Sequence, residues 1–574
     1  MKLADRSFPT SLAPLAFLLI LLFNIVAGAQ VTESRSLDGS GNNPLHPTWG
    51  SAGSIAPRLG PNSYEDGIST ITTLRPNARR VSNVVHAQQA SRPDRRGLNE
   101  LTWVWAQFID HDLDHVLLGA PTDRADVSIP SGDAVFTPGQ ILPMTRSQYV
   151  GGITSAREQV NNISCFLDAG MVYGGRASEG DGLARANWLR SFSGGQLRTS
   201  IENGEHYLPR RGDASAPIMA GAVTDPTRLF VAGDIRANEN PGLLSMHTLF
   251  VREHNAVASR IAGAAPALND EQLYQAARKV IGGLVQAITY NEFLPAMGVM
   301  LAPYRGYDPT VNPSLANEFV AGAFRTPHSQ VNDQTLRLNP DGTVHPTGHI
   351  RLESGFFQPE LVVESGIGPI LHGLGSQVQE AMDASVHDGL RNLLFGPASS
   401  GPIANGSDIA ALDIQRGRDH GLADYNSTRV ALGLPALSSF EEIADDEDLR
   451  SSLRAVYGSV DRLDLWTGLV CEDNVPGASL GELNLAIWLD QFARVRDGDR
   501  LFFLNDPDFL PGGFLDRVGF GADELSSRRL ADVIEEHLHV VVGRADNTFF
   551  VVPEPSALGW LTTILPTLLR RKQR

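Results

Sequence analysis

The chain has 574 residues, is 42% hydrophobic and 20% charged, and carries a formal net charge of −18. That length allows a large buried core, and with no clear linker or internal repeat it reads as one large catalytic domain. The acidic balance, with no basic stripe, argues against nucleic acid as a partner. Two cysteines, Cys165 and Cys471, exclude a disulfide framework; they either pair or stand as buried thiols.

At the start, Lys2 and Arg6 precede an apolar run from Leu12 to Val26, and Ala27-Gly-Ala29 supplies the small residues a signal peptidase accepts. Residues 1–29 therefore read as a signal peptide, with Gln30 as the new N-terminus. The run is short for a membrane anchor and contains Pro14 and Asn24. Asp38-Gly-Ser-Gly-Asn-Asn43 places Asn43 and Trp49 where a calcium loop of the EF-hand type needs Gly and Glu, so it reads as a turn. Residues 44–75 are rich in Pro, Gly and Ser and run extended over the surface, and the helical part begins between Pro76 and Gln89.

The stretch Trp103-Val-Trp-Ala-Gln-Phe-Ile-Asp-His-Asp-Leu-Asp-His115 sets two histidines and three aspartates behind an aromatic and apolar run. As a helix it puts Gln107, Asp110 and His111 on one face, with Asp112 turned about 100° away. Three readings compete from the residues alone. One is an acidic, solvated helix end. A second is a divalent-metal pair, because His111 and His115 have the spacing of the zinc-binding H-E-x-x-H motif. The third is a general base, His111, beside an apolar pocket.

Further along, Met246, Leu249, Phe250, Val257 and Ile261 form the buried stripe of one helix, with His247 and His254 beside it as satisfied structural histidines. Asn269 caps the next helix with Gln272 at its third position; Leu273, Ala276, Val280, Ile281, Leu284 and Ile288 line its buried face, and Pro295 follows its end. The chain closes on Pro553-Glu-Pro555, a short apolar stretch broken by Pro566, and a basic cluster from Arg570 to Arg574. This end resembles the PEP-CTERM sorting signal of Gram-negative bacteria. The resemblance implies export, transient membrane association and cleavage, with residues 546–574 as linker and tail.

Five blocks follow the opening stretch in register: Asn162-Ile-Ser-Cys-Phe-Leu-Asp-Ala-Gly-Met-Val-Tyr-Gly174, Gly233-Asp-Ile-Arg-Ala-Asn-Glu-Asn-Pro241, Ser245-Met-His-Thr-Leu-Phe-Val-Arg-Glu-His-Asn255, Ala323-Phe-Arg-Thr-Pro-His328 and Leu412-Asp-Ile-Gln-Arg-Gly-Arg-Asp-His-Gly421. Together they resemble the animal-type haem peroxidases, the superfamily of peroxidasin and myeloperoxidase with its bacterial members. The resemblance implies a mainly α, single-domain haem peroxidase fold with long irregular connections over residues 30–545, and one haem b.

By the same resemblance, His111 is similar to the distal histidine that moves a proton on peroxide, Arg236 to the distal arginine, and Gln107 to the distal glutamine. Asp110 and Glu239 match the carboxylates that form haem esters in many members, while Asn240 stands where a third link is formed in myeloperoxidase. His328 is similar to the proximal iron ligand, with Arg325 and Arg416 placed for haem propionates. Asp413 departs from the Asn usual in mammalian members, which implies a more electron-donating imidazole and a lower iron potential. One calcium ion is implied at Asp112, Ser164, the Phe166 carbonyl, Asp168 and position 170, where Gly170 replaces a usual Ser.

The function implied is a secreted or envelope-associated peroxidase. It reduces hydrogen peroxide and oxidises small donors such as phenols, iodide, bromide or thiocyanate. The alternatives are a fatty-acid oxygenase of the same superfamily, a zinc hydrolase and a non-catalytic haem or adhesion protein. The oxygenases carry a tyrosine three residues before the proximal histidine, and here that position is Arg325.

Overall fold

The helical part of the chain begins within the predicted interval. In a computed structural model that describes residues 30–175, 182–212, 215–221, 223, 225–394 and 406–552, helix α1 spans Ala78–Val85, capped by the Asn77 side chain accepting from Arg80 N. Both terminal sorting segments lie outside the described residues. Before α1, residues 44–75 are turns and extended chain, touched only by the short strand β1 (Ser54–Ile55). The Asp38 loop is a turn in which Asp38 Oδ1 accepts from Ser40 N at 3.0 Å.

Helix α2, Leu101–Leu113, is buried on nearly every side; only Gln107 and Asp110 are partly exposed. A helix apolar all round belongs inside a large core. Its Trp105 and Phe108 pack on Phe250, and Trp105 Nε1 donates to Thr289 Oγ1 at 3.3 Å. Phe250 belongs to α3 (Pro241–Ala264), and the predicted stripe of α3 is fully buried.

Helix α4 (Asp270–Ile288) carries the capping box of Asn269 and Gln272 and buries the whole predicted face. The α-helix ends at Ile288, ahead of Pro295. The chain continues through a π-turn, Thr289–Phe293, into a short helix, Leu294–Met297, where Pro295 occupies the first turn and its missing N–H costs nothing.

Strands are few. The largest sheet has three, with β1 and β2 (Tyr149–Val150) flanking β3 (Glu158–Asn161), all antiparallel, Ser54 opposite Asn161 and Tyr149 opposite Gln159. This sheet carries the chain from α2 to the loop Ser164–Gly170. The body is one mainly α domain, matching the expected class. Residues 546–552, read from sequence as the start of the linker, are instead part of that body: Phe549 is fully buried, its carbonyl accepts from Asn99 N, and Thr548 bonds to Glu292. Cys165 and Cys471 are both buried and free.

Candidate functional site

One cavity of about 260 Å³ lies between α2, the N-terminus of α3 and the segment Ala323–Gln330. Its wall brings together Gln107, Asp110, His111, Arg236, Glu239, Arg325 and His328 from three separated stretches of sequence. Trp103, Phe324, Val331, Phe356 and Leu390 supply apolar walls, so a flat hydrophobic ligand with polar edges fits the lining.

On one side, α2 projects His111 inward. His111 is buried, its Nδ1 has no hydrogen-bond partner among the described residues, and Asp234 Oδ1 lies 3.7 Å away. Burial first, and then the Arg236 charge, hold its pKa well below the ordinary histidine value, so the ring is a neutral base. Arg236 is fixed by Asp234, with Nε to Oδ1 at 2.9 Å and Nη2 to Oδ2 at 3.0 Å, and by the Asp114 carbonyl at 2.8 Å. Its Nη1 faces Asp110 Oδ2 at 3.5 Å. Asp234 was quoted in the sequence block without a role; an acid two residues before a functional arginine was the available signal.

Gln107 is held at both ends. Its Nε2 donates to Glu239 Oε2 at 2.9 Å and its Oε1 accepts from Asn240 Nδ2 at 2.8 Å. Asn240 Oδ1 in turn caps α3 through Leu243 N, which explains an Asn at this position on structural grounds. Burial raises the Glu239 pKa to about 7 and raises that of Asp110.

Across the cavity, His328 sits on a 3-10 segment of eight residues, unusually long for that geometry and holding Pro327 inside it. His328 Nδ1 and Asp413 Oδ2 are 2.6 Å apart. With Nδ1–H donated to a carboxylate, the lone pair resides on Nε2, the arrangement that suits a metal ligand. Asp413 Oδ1 also accepts from Arg325 Nη1 at 3.2 Å. Arg416 does not reach the cavity wall: its Nη1 donates to Asp419 Oδ2, Ser147 Oγ and the Thr145 carbonyl, and the buried Asp419 holds it there. The residues present fit a haem with His328 as iron ligand and Arg325 as the one predicted propionate partner that faces the cavity.

Behind α2, Asp112 points away from His111, as the helical spacing predicts. Its carboxylate accepts from Ala169 N at 2.9 Å and Met171 N at 3.4 Å, while Asp168 Oδ1 accepts from Gly170 N at 3.1 Å. A Cβ on Gly170 would lie 3.1 Å from Asp112 Oδ1 and 3.2 Å from Asp168 Oδ1. Burial and then the Asp168 charge raise the Asp112 pKa well above the carboxylate range. Ser164 and Gly170 line the same small cavity as Asp112. The Phe166 carbonyl accepts from Asp168 N, and Asp168 Oδ2 faces Arg35 Nε at 3.4 Å. The donors suit a hard cation, although among the described residues no three His, Cys, Asp or Glu groups converge.

Two other expectations change and one holds. Helix α2 ends at Leu113 and Asp114 turns extended (φ −132, ψ 133), so His115 loses the helical face it needed to pair with His111. His254 is satisfied by Tyr173 OH and the Gly195 carbonyl. His247 is not, because both its ring nitrogens lack hydrogen-bond partners among the described residues; it packs edge-on against Phe108.

A family model described as animal haem peroxidase matches residues 34–549. Peroxidasin from Drosophila melanogaster is 33% identical over 533 residues, covering 83% of this chain and 34% of its own length. Peroxinectin A from Dictyostelium discoideum is 31% identical over 505 residues, covering 84% of this chain and 91% of its own. The solved structure of peroxidase A from Dictyostelium discoideum superposes with a TM-score of 0.81 at 28% identity, over 90% of this chain and all of that one. The chain spans about a third of the length of the peroxidasins it matches. With the matched region running through nearly all the described body, the chain belongs to the animal haem peroxidase family.

Proposed function

We propose that the protein is a haem peroxidase that reduces hydrogen peroxide and oxidises small donors such as phenols, iodide, bromide or thiocyanate. The observation that carries this reading is the placement of a neutral His111 and a fixed Arg236 on one wall of the cavity that has His328 on the other. Haem would be held by His328 through Nε2 and by Arg325 at a propionate, with Asp110 and Glu239 as the two carboxyls that could form ester links to it. Bound there, it would supply the two-electron redox chemistry that peroxide reduction needs.

The protein's own residues supply the proton transfers. His111, neutral through burial, takes a proton from one peroxide oxygen and returns it to the other as that oxygen leaves. Arg236 holds a permanent positive charge beside the developing negative charge, and Asp234 keeps it from swinging away. Gln107, locked between Glu239 and Asn240, offers a fixed amide edge to a water or halide. Calcium held by Asp112, Ser164, the Phe166 carbonyl and Asp168, with Gly170 at the remaining position, would pin the loop to the back of α2.

Export and transient membrane association rest on the sequence ends; among the described residues no helix is long and apolar enough to cross a membrane. The test is a steady-state comparison of phenol, iodide, bromide and thiocyanate with purified, haem-loaded protein. Peroxide-dependent turnover of at least one is expected, and none at all with haem bound would overturn the reading.

A further inference from the structure

The cavity wall holds one side chain that the peroxidase reading does not use. Among the described tryptophans, Trp103 alone lines the cavity, one helical turn before Gln107 on α2. Its ring is buried, and its Nε1 donates to Glu100 Oε1 at 3.3 Å. Glu100 is a buried carboxyl at the N-terminus of α2. The same Oε1 receives Asn332 N at 3.3 Å, four residues beyond His328, and Oε2 has no hydrogen-bond partner among the described residues. An unpaired buried acid is costly and needs a reason. The other core tryptophans differ: Trp105 donates to the Thr289 hydroxyl, Trp488 to the Ala323 carbonyl, and Trp466 Nε1 has no hydrogen-bond partner among the described residues, so none of them faces a carboxyl.

We propose that Trp103 is an internal electron donor to the haem, with Glu100 as the acceptor of its indole proton. The inference rests on the peroxidase reading, which supplies hydrogen peroxide as the oxidant. One electron leaves the Trp103 ring for haem that peroxide has oxidised. The Nε1–H bond breaks, its proton bonds to a Glu100 carboxylate oxygen, and a neutral indolyl radical remains. The haem has then recovered one of the two electrons it gave to peroxide, and the second oxidising equivalent sits on the cavity wall. A donor touching Trp103 can be oxidised there without reaching the iron.

Burial raises the Glu100 pKa to about 8, helped by the negative charges of Asp333 and Glu380 and opposed by the bonds from Trp103 and Asn332. Only ionised Glu100 accepts the proton. The neutral radical should therefore form in higher yield as pH rises through about 8, the opposite of a simple acid-driven reaction.

The experiment mixes haem-loaded protein with one equivalent of hydrogen peroxide, without donor, and freezes the sample for electron paramagnetic resonance. Protein grown with ring-deuterated tryptophan is measured alongside. The expected result is a tryptophanyl signal narrowed by deuteration, absent in Trp103→Phe, and several-fold weaker or converted to a radical cation in Glu100→Gln. Oxygen addition on Trp103, located by peptide mass spectrometry after prolonged peroxide exposure, is the second readout. An unchanged signal in Trp103→Phe overturns the proposal. If that variant fails to fold or bind haem, an unchanged neutral radical in Glu100→Gln overturns it instead. A haem band that shifts with peroxide in wild type, without any tryptophanyl signal, refutes this inference alone; a haem band that does not respond refutes the peroxidase reading as well.

Discussion

Asp413 Oδ2 stands 2.6 Å from His328 Nδ1, while Asp413 Oδ1 accepts from Arg325 Nη1 at 3.2 Å. One buried carboxylate thus serves the proposed iron ligand and a cation at the cavity edge together. The carboxylate makes the imidazole a stronger donor than an amide would, and Arg325 withdraws part of that charge. Replacing Asp413 by Asn should raise the ferric/ferrous potential of the haem-loaded protein in spectroelectrochemistry. Replacing Arg325 by Gln should lower it, because the carboxylate then gives its full charge to His328. Equal potentials in all three proteins would remove Asp413 from any tuning role.

His111→Ala removes the base but not the ligand. Peroxide reduction measured by stopped flow should slow by about 10²–10⁴-fold, with the haem absorption band retained. Because burial holds the His111 pKa well below 6.5, the wild-type rate should also stay flat as pH falls from about 8 to 6.

Arg236→Lys keeps a positive charge but loses the two-point contact with Asp234. The same stopped-flow rate should fall by about 10²-fold, the usual scale for losing one fixed stabilising group. A rate near wild type would mean that charge alone, without orientation, is sufficient.

Calcium should stabilise the chain through Asp112 and Asp168, whose mutual repulsion it relieves. At a calcium concentration 100 times the dissociation constant the gain is about 2.7 kcal/mol, read as a rise in Tm that chelation reverses. Asp112→Asn should reduce that calcium-dependent rise, and a Tm indifferent to calcium in wild type would dismiss the site.

The contribution of Glu100 to stability should decline as pH rises from 4.5 to about 8 and level off above it. Glu100 has its folded pKa raised to about 8 from 4.5, so the native chain keeps a proton that the unfolded chain releases, and that stability is lost as pH rises through about 8. His86 and His254, depressed to about 4 from 6.5, act with the opposite sign but only below 6.5. Between pH 6.5 and about 8.5 the loss from Glu100 is on the order of 2 kcal/mol. Thermal melts of Glu100→Gln should show a flatter Tm over that interval than wild type.

Much of the site was readable in the linear sequence because it is built on regular helices. The 3.6-residue period puts Gln107, Asp110 and His111 on one face and Asp112 on the other, and the capping box at Asn269 follows from local chemistry alone. The motif blocks named the family, and with it His328, which no periodicity would have chosen from fifteen histidines.

Tertiary structure decided what depends on partners distant in sequence. Arg416 carries the right charge, but Asp419 and the 145–147 segment claim it, whereas Arg325 reaches the cavity. His115 has the right spacing, but the helix ends two residues before it. His247 was expected to be satisfied and has no hydrogen-bond partner among the described residues, and Glu100 gave no sequence signal at all. Charge and spacing along a chain are local properties, whereas the state of a buried charge depends on which groups the fold brings to it and how much water it excludes.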